Sequence, residues 1–538
     1  MTLRLPERLS RFSPVPRRTG DGTPQRVVVV GGGIAGLATA ALLASRGHSV
    51  DLLEKNDDLG GRVGSVERDG FRFDTGASWY LMPEVFEHFF ELLGTTAGAE
   101  LDLVELDPSY RVFFEGHPDP VDVRPDVAHN RALFESLEPG AGERFDAYLA
   151  SAAETYDVAL QRFLYTNFDS ASAFLHPDVV RRTPTLSRLL TRSLESHVAA
   201  RFTDPRIRQI LGYPAVFLAS SPDRAPSMYH LMSHLDLGDR VLYPQGGFTT
   251  LIAAIADVAR RHGARLHTGA EVRRILTAKR DGRAVVTGVE HDTPGGLRTM
   301  DADVVVGAGD LHHLETALLP RELQTHPEPV WEDRSPGTGV VLAMLGVEGS
   351  LPQLPHHSLF FTSDWKANFG SIFGDARIPD PASVYVCKPS ETDPSVAPAG
   401  HENLFVLVPV PADVTIGAGG DDGHGAEQVE RAADAAIDQV AAWADIPDLR
   451  ERIRVRHTVG PQDFAARYHA WRGGALGLEH TLRQSAFFRP GNTSAKVDGL
   501  LYAGATTVPG VGLPMCLISA ELVLKRLTGD RSSLPVQA

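Results

Sequence analysis

Residues 26–61 read RVVVVGGGIAGLATAALLASRGHSVDLLEKNDDLGG, and this stretch decides the fold. Arg26–Val30 is an apolar, β-branched run that is typical of a strand buried on both faces. A helical pattern follows over Ile34–Arg46, and Gly47 stands where a helix commonly ends. Ser49–Leu53 reads as the next strand. This order of strand, helix and strand predicts a Rossmann-like α/β domain with a parallel sheet.

A G-x-G-x-x-G motif joins the first strand to the helix, and its glycines are Gly31, Gly33 and Gly36. Gly31 allows a tight turn, Gly33 lets the backbone approach a pyrophosphate, and Gly36 lets helix and strand pack closely. The helix N-terminus, with Ile34 and Ala35, offers unpaired N–H groups and a positive dipole end to phosphates. The motif predicts a dinucleotide site, against the alternative of an ordinary glycine-rich turn.

The residues after the second strand indicate which dinucleotide is bound. Glu54 ends that strand, where its carboxylate can accept hydrogen bonds from a ribose diol and its charge disfavours a 2′-phosphate. Lys55 follows, Gly60 and Gly61 permit a second close backbone approach, and Arg62 can neutralise diphosphate charge. This string resembles the E-x(n)-G-G-R signature of the flavin-containing amine oxidase and carotenoid desaturase superfamily. The resemblance implies FAD rather than NAD.

The C-terminal part of the chain supports FAD. Leu500–Gly504 reads as a short strand that ends in glycine, and a Pro/Gly-rich loop leads to a helical pattern over Leu517–Leu527. In FAD enzymes of this class, such a segment lies against the ribityl chain and the flavin ring. The resemblance therefore adds the following candidate cofactor residues: Gly76, Ala77, Ser78, Val272, Gly504, Gly512, Leu513, Pro514 and Met515.

A second parallel unit lies in the middle of the chain. It comprises a helix over Thr249–His262 and strands over Ala264–Thr268 and Ala302–Val306. The strand end at Gly307-Ala-Gly309-Asp310 lacks a third glycine, so no independent NADPH site is visible. Electrons must then leave a flavin by another route.

Composition limits the classes of function. The chain has 538 residues, enough for two or more domains, and its net charge of −16 argues against binding nucleic acid. Its two cysteines exclude a disulfide framework and fit a reducing cytoplasm. Residues 1–24 read as a disordered Arg/Pro-rich tail, with attraction to anionic lipid as the alternative. No run approaches the ~18 apolar residues that span a bilayer, so a soluble or monotopic protein is expected.

Two insertions interrupt a discontinuous cofactor domain, which we assign to residues 25–82, 237–310 and 495–530. The first insertion, 83–236, is mostly helical by pattern. Its segment 178–218 mixes apolar residues with arginines, of which the first four are Arg181, Arg182, Arg188 and Arg192. Such a segment can lie on a membrane surface or present an ordinary solvated helix face.

The second insertion, 311–494, predicts an antiparallel sheet that forms one wall of a substrate cavity, followed by a helix over Ala426–Trp443. Its strand-like runs are Gly339–Val347, His356–Thr362, Ser383–Lys388 and Asn403–Val410. The predicted architecture is thus a Rossmann-like FAD-binding domain with an interleaved substrate domain of antiparallel sheet and helices.

Other catalytic motifs are absent from the sequence, which has no H-E-x-x-H, C-x-x-C, G-x-S-x-G or Walker loop. His312-His313 and His356-His357 are adjacent pairs, whose side chains point apart on a strand and do not share a helix face. We therefore expect no metal site, and no catalytic side chain can be assigned.

Similarity to one family runs from about Gln25 to Leu527. The stretches FTDPRIRQILGYPAVFLASSP, HHSLFFTSDW and TDPSVAP, together with both cofactor segments, resemble bacterial and fungal-type phytoene desaturases of the carotenoid desaturase/isomerase family. Three loops depart from the family pattern. The usual G-P-T appears as Gly76-Ala77-Ser78, N-A-D as Gly309-Asp310, and T-H-P-G as Thr507-Val508-Pro509-Gly510. These departures leave the product range and the electron acceptor open.

The resemblance implies an FAD-dependent desaturase that converts phytoene to lycopene or a related conjugated carotene by hydride transfer followed by proton loss. It also implies a hydrophobic isoprenoid substrate, a membrane-facing mouth on a cytoplasmic, peripherally membrane-associated protein, and quinone or dioxygen as electron acceptor. Flavin or a nearby carboxylate remain alternatives for the proton acceptor. Other readings are a carotenoid isomerase, ketolase or saturase, an amine oxidase, or a prenyl-lipid carrier without flavin; the intact glycines, Glu54 and Arg62 argue against the carrier.

Overall fold

The computed structural model describes residues 23–168 and 183–537. Nearly all of the predicted N-terminal tail, as well as Arg181 and Arg182, lies outside these residues.

Twenty strands are found in the described residues. In chain order they are β1 (Arg26–Val30), β2 (Ser49–Leu53), β3 (Ser65–Arg68), β4 (Phe71–Asp74), β5 (Leu103–Glu105), β6 (Tyr110–Phe114), β7 (Val121–Val123), β8 (Leu242–Pro244), β9 (Arg265–His267), β10 (Val272–Arg280), β11 (Arg283–His291), β12 (Arg298–Asp301), β13 (Val304–Gly307), β14 (Thr338–Glu348), β15 (His357–Phe361), β16 (Val384–Cys387), β17 (His401–Pro411), β18 (Ile453–Val459), β19 (Val497–Asp498) and β20 (Leu500–Tyr502).

Eighteen α-helices are found in the described residues. The α-helices are Ile34–Ser45, Pro83–Glu91, Ala97–Glu100, Val127–Leu137, Ala141–Ala159, Thr183–Thr191, Leu194–Ala199, Pro205–Gly212, Pro214–Phe217, Met232–Leu237, Phe248–Arg261, Leu311–Thr316, Glu328–Glu332, Trp365–Phe373, Glu427–Trp443, Leu449–Arg452, Pro461–Tyr468 and Leu513–Thr528. In the described part of the chain, no helix is both long and apolar enough to cross a bilayer.

A five-stranded sheet joins the two ends of the chain. Its order is β20-β13-β1-β2-β9, and all neighbours pair in parallel. These strands come from the segments 25–82, 237–310 and 495–530. The predicted α/β class is confirmed, because all strand pairs of this sheet are parallel and helix Ile34–Ser45 connects β1 to β2.

Helix Ile34–Ser45 is buried along nearly its whole length and packs between helices Phe248–Arg261 and Leu513–Thr528. The predicted bounds of the first two helices agree with the structure within one residue. The last helix begins four residues before its predicted start, because Pro514 is accommodated in the first turn, where its missing N–H is not needed.

The second sheet has seven strands in the order β18-β14-β17-β16-β15-β6-β7. Its pairs are antiparallel except β15 with β6. The four strands predicted in the second insertion all lie here, as expected. Strands β6 and β7 belong to the first insertion, which was predicted to be mostly helical, so that insertion also completes the wall of the substrate domain.

Residues 272–301 form a further antiparallel sheet, β10-β11-β12, in which β19 also pairs with β11. This sheet interrupts the predicted second parallel unit between its strands β9 and β13. Two short strand pairs, β3 with β4 and β5 with β8, complete the described strands.

Candidate functional site

One cavity of about 550 Å³ extends past the carboxyl ends of β1, β2, β13 and β20. This is the place where open parallel α/β sheets bind their ligands. Every residue predicted for the cofactor site lines the cavity except Gly36. Gly36 instead has a packing role, since a Cβ there would lie 1.9 Å from Gly31 O.

The glycine turn brings two chain segments together at the start of helix Ile34–Ser45. Gly31 has a φ of +110°, which favours glycine, and the N–H of Gly60 donates to Gly32 O at 2.9 Å. A Cβ on Gly33 would meet nothing closer than Gly60 O at 3.9 Å, so Gly33 faces open space. The first N–H groups of the helix have no partner within the helix and lie at this opening.

Glu54 is buried and holds the turn in place. Its Oε2 accepts from the N–H of Gly32 at 2.6 Å, and its Oε1 accepts from the backbone and side-chain amides of Asn56 at 2.9 and 2.7 Å. The carboxylate therefore positions the glycine loop as well as lining the cavity.

Two cationic side chains, those of Lys55 and Arg62, lie near this loop. Lys55 Nζ donates to Ala466 O at 2.6 Å and lies 3.4 Å from His469 Nε2. Arg62 lies over the Tyr468 ring, and its Nε is buried with no hydrogen-bond partner in the part of the chain that the structure describes. That unpaired donor indicates that Arg62 is placed for a ligand.

A stacked histidine pair, which sequence reasoning missed, lines the cavity near Lys55. The rings of His313 and His469 lie 3.8 Å apart at an angle of 5°. Burial lowers the pKa of His313 to about 4, so this ring is uncharged at neutral pH, and burial also lowers the pKa of His469. The two residues are 156 positions apart in the chain, and no local pattern links them.

Gly76, Ala77 and Ser78 follow β4 and lead into the apolar part of the cavity. A Cβ on Gly76 would lie 2.0 Å from Arg62 O, so only glycine allows this approach. Ser78 Oγ accepts a hydrogen bond from Tyr385 OH at 2.7 Å. On the opposite side, Gly504 and Gly512 have φ values of +119° and +125° and shape the turn before helix Leu513–Thr528.

The remaining wall is apolar and comes mainly from the two insertions. Representative lining residues are Tyr213, Phe217, Met232, Leu359, Phe361 and Phe405. Among the described lining residues, the carboxylates are Glu54, Glu271 and Asp310, which follow β2, precede β10 and follow β13. The apolar wall therefore offers no acidic group within the described chain.

His480, also missed from the sequence, lies where the apolar wall meets the loop before helix Leu513–Thr528. Its Nδ1 is 3.2 Å from Leu218 O. Because a carbonyl only accepts hydrogen bonds, Nδ1 carries the proton and Nε2 holds a lone pair. A Cβ on Gly510 would lie 2.4 Å from Nε2, which places Nε2 directly against that loop. Burial holds the pKa of His480 well below its usual range.

We expected no metal site because the side chains of adjacent histidines point apart on a strand. This reason does not apply to His356 and His357. His356 precedes β15, so the alternation of a strand does not apply to it, and the two rings contact each other at 4.6 Å. Their ligand atoms and that of Cys387 all lie within 4.8 Å of one another. The side chains of His312 and His313 do point to different partners, since His312 contacts Glu328 while His313 stacks on His469.

The basic segment 178–218 packs its apolar residues inward where it is described. Val198, Ile207, Ile210 and Leu211 are fully buried. Arg206 pairs with Asp204 at 2.8 Å. These contacts in the described part are those of an ordinary solvated helix face, and contact of this segment with a membrane stays a prediction.

Exposed apolar side chains occur at a different place, next to the cavity. Phe168 and Ala486 line the cavity, while Phe487 and Phe488 are 41% and 46% exposed. The Phe487 ring lies 4.2 Å from that of Phe488 and 6.4 Å from that of Phe168. We call Phe168, Phe487 and Phe488 the aromatic rim.

Comparison with known proteins agrees with the fold and the cavity. A family model described as flavin containing amine oxidoreductase matches residues 34–524. The carotenoid 3,4-desaturase of Haloarcula japonica is 41% identical, with 95% of this chain and 99% of that protein covered. The zeta-carotene-forming phytoene desaturase of Myxococcus xanthus is 35% identical, with 94% of each covered. A solved oxidoreductase from Methanosarcina mazei has the same fold, with a TM-score of 0.59 at 18% identity, covering 93% of this chain and all of that chain.

Proposed function

Because the chain belongs to the flavin-containing amine oxidoreductase family, and within it to the carotenoid desaturases, we propose that it desaturates a carotene precursor with FAD as electron acceptor. One observation carries this proposal. One cavity joins a glycine-lined wall suited to a dinucleotide to a long apolar wall, whose described residues include no carboxylate. A polyene and a flavin can contact each other in such a cavity, because its apolar wall suits the polyene and disfavours water.

The residues present fit FAD. The open space at Gly33 and the free N–H groups behind it suit a pyrophosphate, and the unpaired Arg62 Nε suits its charge. Glu54 would hold the ribose, and Val272 also lines the cavity. The segments Gly76–Ser78 and Gly504–Met515 would enclose the remainder of the cofactor. When bound, FAD supplies a two-electron acceptor for the C–H bond.

We assign proton acceptance to His480 Nε2. Loss of a hydride leaves a cation on the substrate, and loss of a proton from the neighbouring carbon then forms the double bond. The described apolar wall has no carboxylate, whereas His480 offers a lone pair whose tautomer is fixed by Leu218 O. Its low pKa keeps Nε2 unprotonated at neutral pH.

The surroundings of His480 also favour release of the proton after each step. Arg489 is fully buried and its charge lowers the pKa of His480, while the Tyr229 ring stands edge-on at 5.4 Å. The neighbouring Glu479 is already paired with Arg224 at 2.6 Å. A protonated His480 would have no free anionic partner among the described groups, so it would readily release its proton.

Two substrates deserve separate tests. Phytoene is the substrate that the sequence resemblance implies, and the Myxococcus relative acts on it by name. The Haloarcula relative at 41% identity is named for 3,4-desaturation, which favours a partly conjugated carotene as the second candidate. Both substrates are linear and apolar, as the cavity wall requires.

We further propose that the aromatic rim contacts a membrane surface, from which an insoluble carotene would enter. Phe487 and Phe488 are exposed beside cavity-lining Ala486, which supports entry at this point. The two free, buried cysteines are consistent with a cytoplasmic protein, and the strand end at Gly309-Asp310 offers no second dinucleotide turn. Quinone or dioxygen therefore remains our proposed electron acceptor.

The test uses full-length protein loaded with FAD, liposomes containing phytoene or lycopene, and a quinone, with products separated by chromatography. We expect conjugated products from phytoene in the wild type and none when the cofactor is excluded. Conversion of lycopene alone would assign the protein to 3,4-desaturation. If the flavin-loaded protein converts neither carotene with quinone or with dioxygen, carotene desaturation is wrong.

A further inference from the structure

Three potential metal ligands, His356, His357 and Cys387, converge at the ends of two neighbouring strands of the seven-stranded sheet. His357 begins β15 and is the direct cross-strand partner of Cys387 at the end of β16, so their side chains share one face of the sheet. His356 lies immediately before β15. All three side chains are buried, and their ligand atoms lie within 4.8 Å of one another.

Hydrogen bonds fix the orientation of both imidazoles. His356 Nδ1 lies 2.8 Å from Thr392 Oγ1, and His357 Nδ1 lies 2.8 Å from Tyr385 OH. Tyr385 OH donates its proton to Ser78 Oγ, so its oxygen accepts from Nδ1–H of His357. The lone pair of His357 therefore resides on Nε2. Metal-binding histidines are held in this way, with one nitrogen on the metal and the other bonded to a neighbouring side chain.

The other nitrogens have no partner. Nε2 of His356 and Nε2 of His357 are both buried without any hydrogen bond to the described residues. A buried polar atom without a partner destabilises a fold, and two such atoms on histidines that cluster with a cysteine call for a common explanation. A bound cation satisfies both nitrogens at once.

We propose that His356 Nε2, His357 Nε2 and Cys387 Sγ bind one zinc ion. Two imidazoles and one thiolate are donors that Zn²⁺ prefers, whereas Mg²⁺ and Ca²⁺ require oxygen ligands. Binding replaces the thiol proton by the metal, and this proton is released to solvent. No oxidation or reduction takes place.

The surroundings allow a fourth ligand. A second cavity of about 10 Å³ adjoins Cys387 and is also lined by Asp74 and Tyr243. This is about the space that one water molecule needs. Asp74 Oδ1 is buried and has no hydrogen-bond partner among the described residues, so it can accept a hydrogen bond from such a water.

The zinc ion would stiffen the wall of the main cavity. Trp79 lines that cavity and stacks on His357 at 4.4 Å with an angle of 7°. A zinc ion bound to both His357 and Cys387 would cross-link β15 to β16, and it would fix the imidazole on which Trp79 stacks. This site is independent of the flavin and of the proposed reaction.

The test measures metal in the full-length protein. Protein stripped with chelator is titrated with Zn²⁺, dialysed and analysed for metal by mass spectrometry, and a parallel sample receives Co²⁺. We expect one ion per chain and strong ligand-field bands of tetrahedral Co²⁺ at wavelengths beyond the flavin absorption. Cys387→Ser and His357→Gln should lose both signals.

The controls separate metal binding from folding. Cys516→Ser changes the only other cysteine and should keep the full metal content. Cys387→His keeps a donor at the same place and should retain Zn²⁺ while changing the Co²⁺ spectrum. The proposal is overturned if the folded wild type takes up clearly less than one ion per chain, or if Cys387→Ser and Cys516→Ser bind metal equally.

Discussion

Replacement of Gly33 by valine should abolish cofactor binding while leaving the fold intact. Gly33 has φ −71° and ψ 174°, which any residue can adopt, and a Cβ there meets nothing closer than 3.9 Å. Since Gly33 is the N-cap of its helix and valine caps poorly, we expect a cost of about 1 kcal/mol in the free energy of unfolding. The isopropyl group would, however, occupy the space through which a pyrophosphate reaches the helix N–H groups.

The loss of affinity should be far larger than the loss of stability. Displacing two charge-assisted hydrogen bonds, each contributing about 1.5–3 kcal/mol, removes about 3–6 kcal/mol of binding free energy. The Kd for FAD should therefore rise by more than about 100-fold.

The assay is FAD titration of the apoprotein together with thermal unfolding at a fixed excess of FAD. At 100 times its Kd, FAD stabilises the wild type by about 2.7 kcal/mol, and this gain should vanish in Gly33→Val. Gly491→Val is the matched control, because that position has no close neighbours and lies outside the cavity. Gly36→Ala should instead destabilise the fold itself, through contact with Gly31 O. Wild-type affinity for FAD in Gly33→Val would refute the assignment of the site.

Three further outcomes follow from the structure. His480→Ala should lower product formation by about 100-fold or more with unchanged FAD affinity, and added imidazole should restore part of the activity; equal rates in variant and wild type would remove His480 from the mechanism. Phe487→Asp combined with Phe488→Asp should abolish flotation with liposomes while FAD binding persists, and unchanged flotation would exclude the aromatic rim as the membrane contact. Burial raises the pKa of Asp236 to about 7 despite hydrogen bonds from two tyrosines, so the native state holds a proton that the unfolded state releases near pH 4. The free energy of unfolding should therefore fall by up to about 4 kcal/mol as pH rises from about 4 to 7, and Asp236→Asn should flatten this dependence in denaturant titrations.

Local sequence signals were sufficient for the parallel sheet. The apolar run Arg26–Val30, the three glycines and the helix after them are contiguous, so their pattern can be read directly and the structure agrees with it. Strand β6 was missed because it pairs in parallel with β15, nearly 250 residues away in the chain. No periodicity within its own segment reveals that partner.

The functional groups outside the glycine loops could not be predicted for a related reason. His480 is a single histidine in an irregular segment, and its importance depends on Leu218 and Gly510, which are distant in the chain. The convergence of His356 with Cys387 depends on the register of β15 and β16 and on the position of His356 before its strand. Such contacts arise only once the sheet is assembled.

The central claim is that one cavity holds FAD against a carotene. The most direct measurement follows the visible absorption band of the bound flavin while phytoene or lycopene in liposomes is added without oxygen. We expect the band to bleach as a conjugated product forms, one new double bond for each flavin, and to remain with empty liposomes. A flavin band that stays unchanged in the presence of either carotene would contradict the claim.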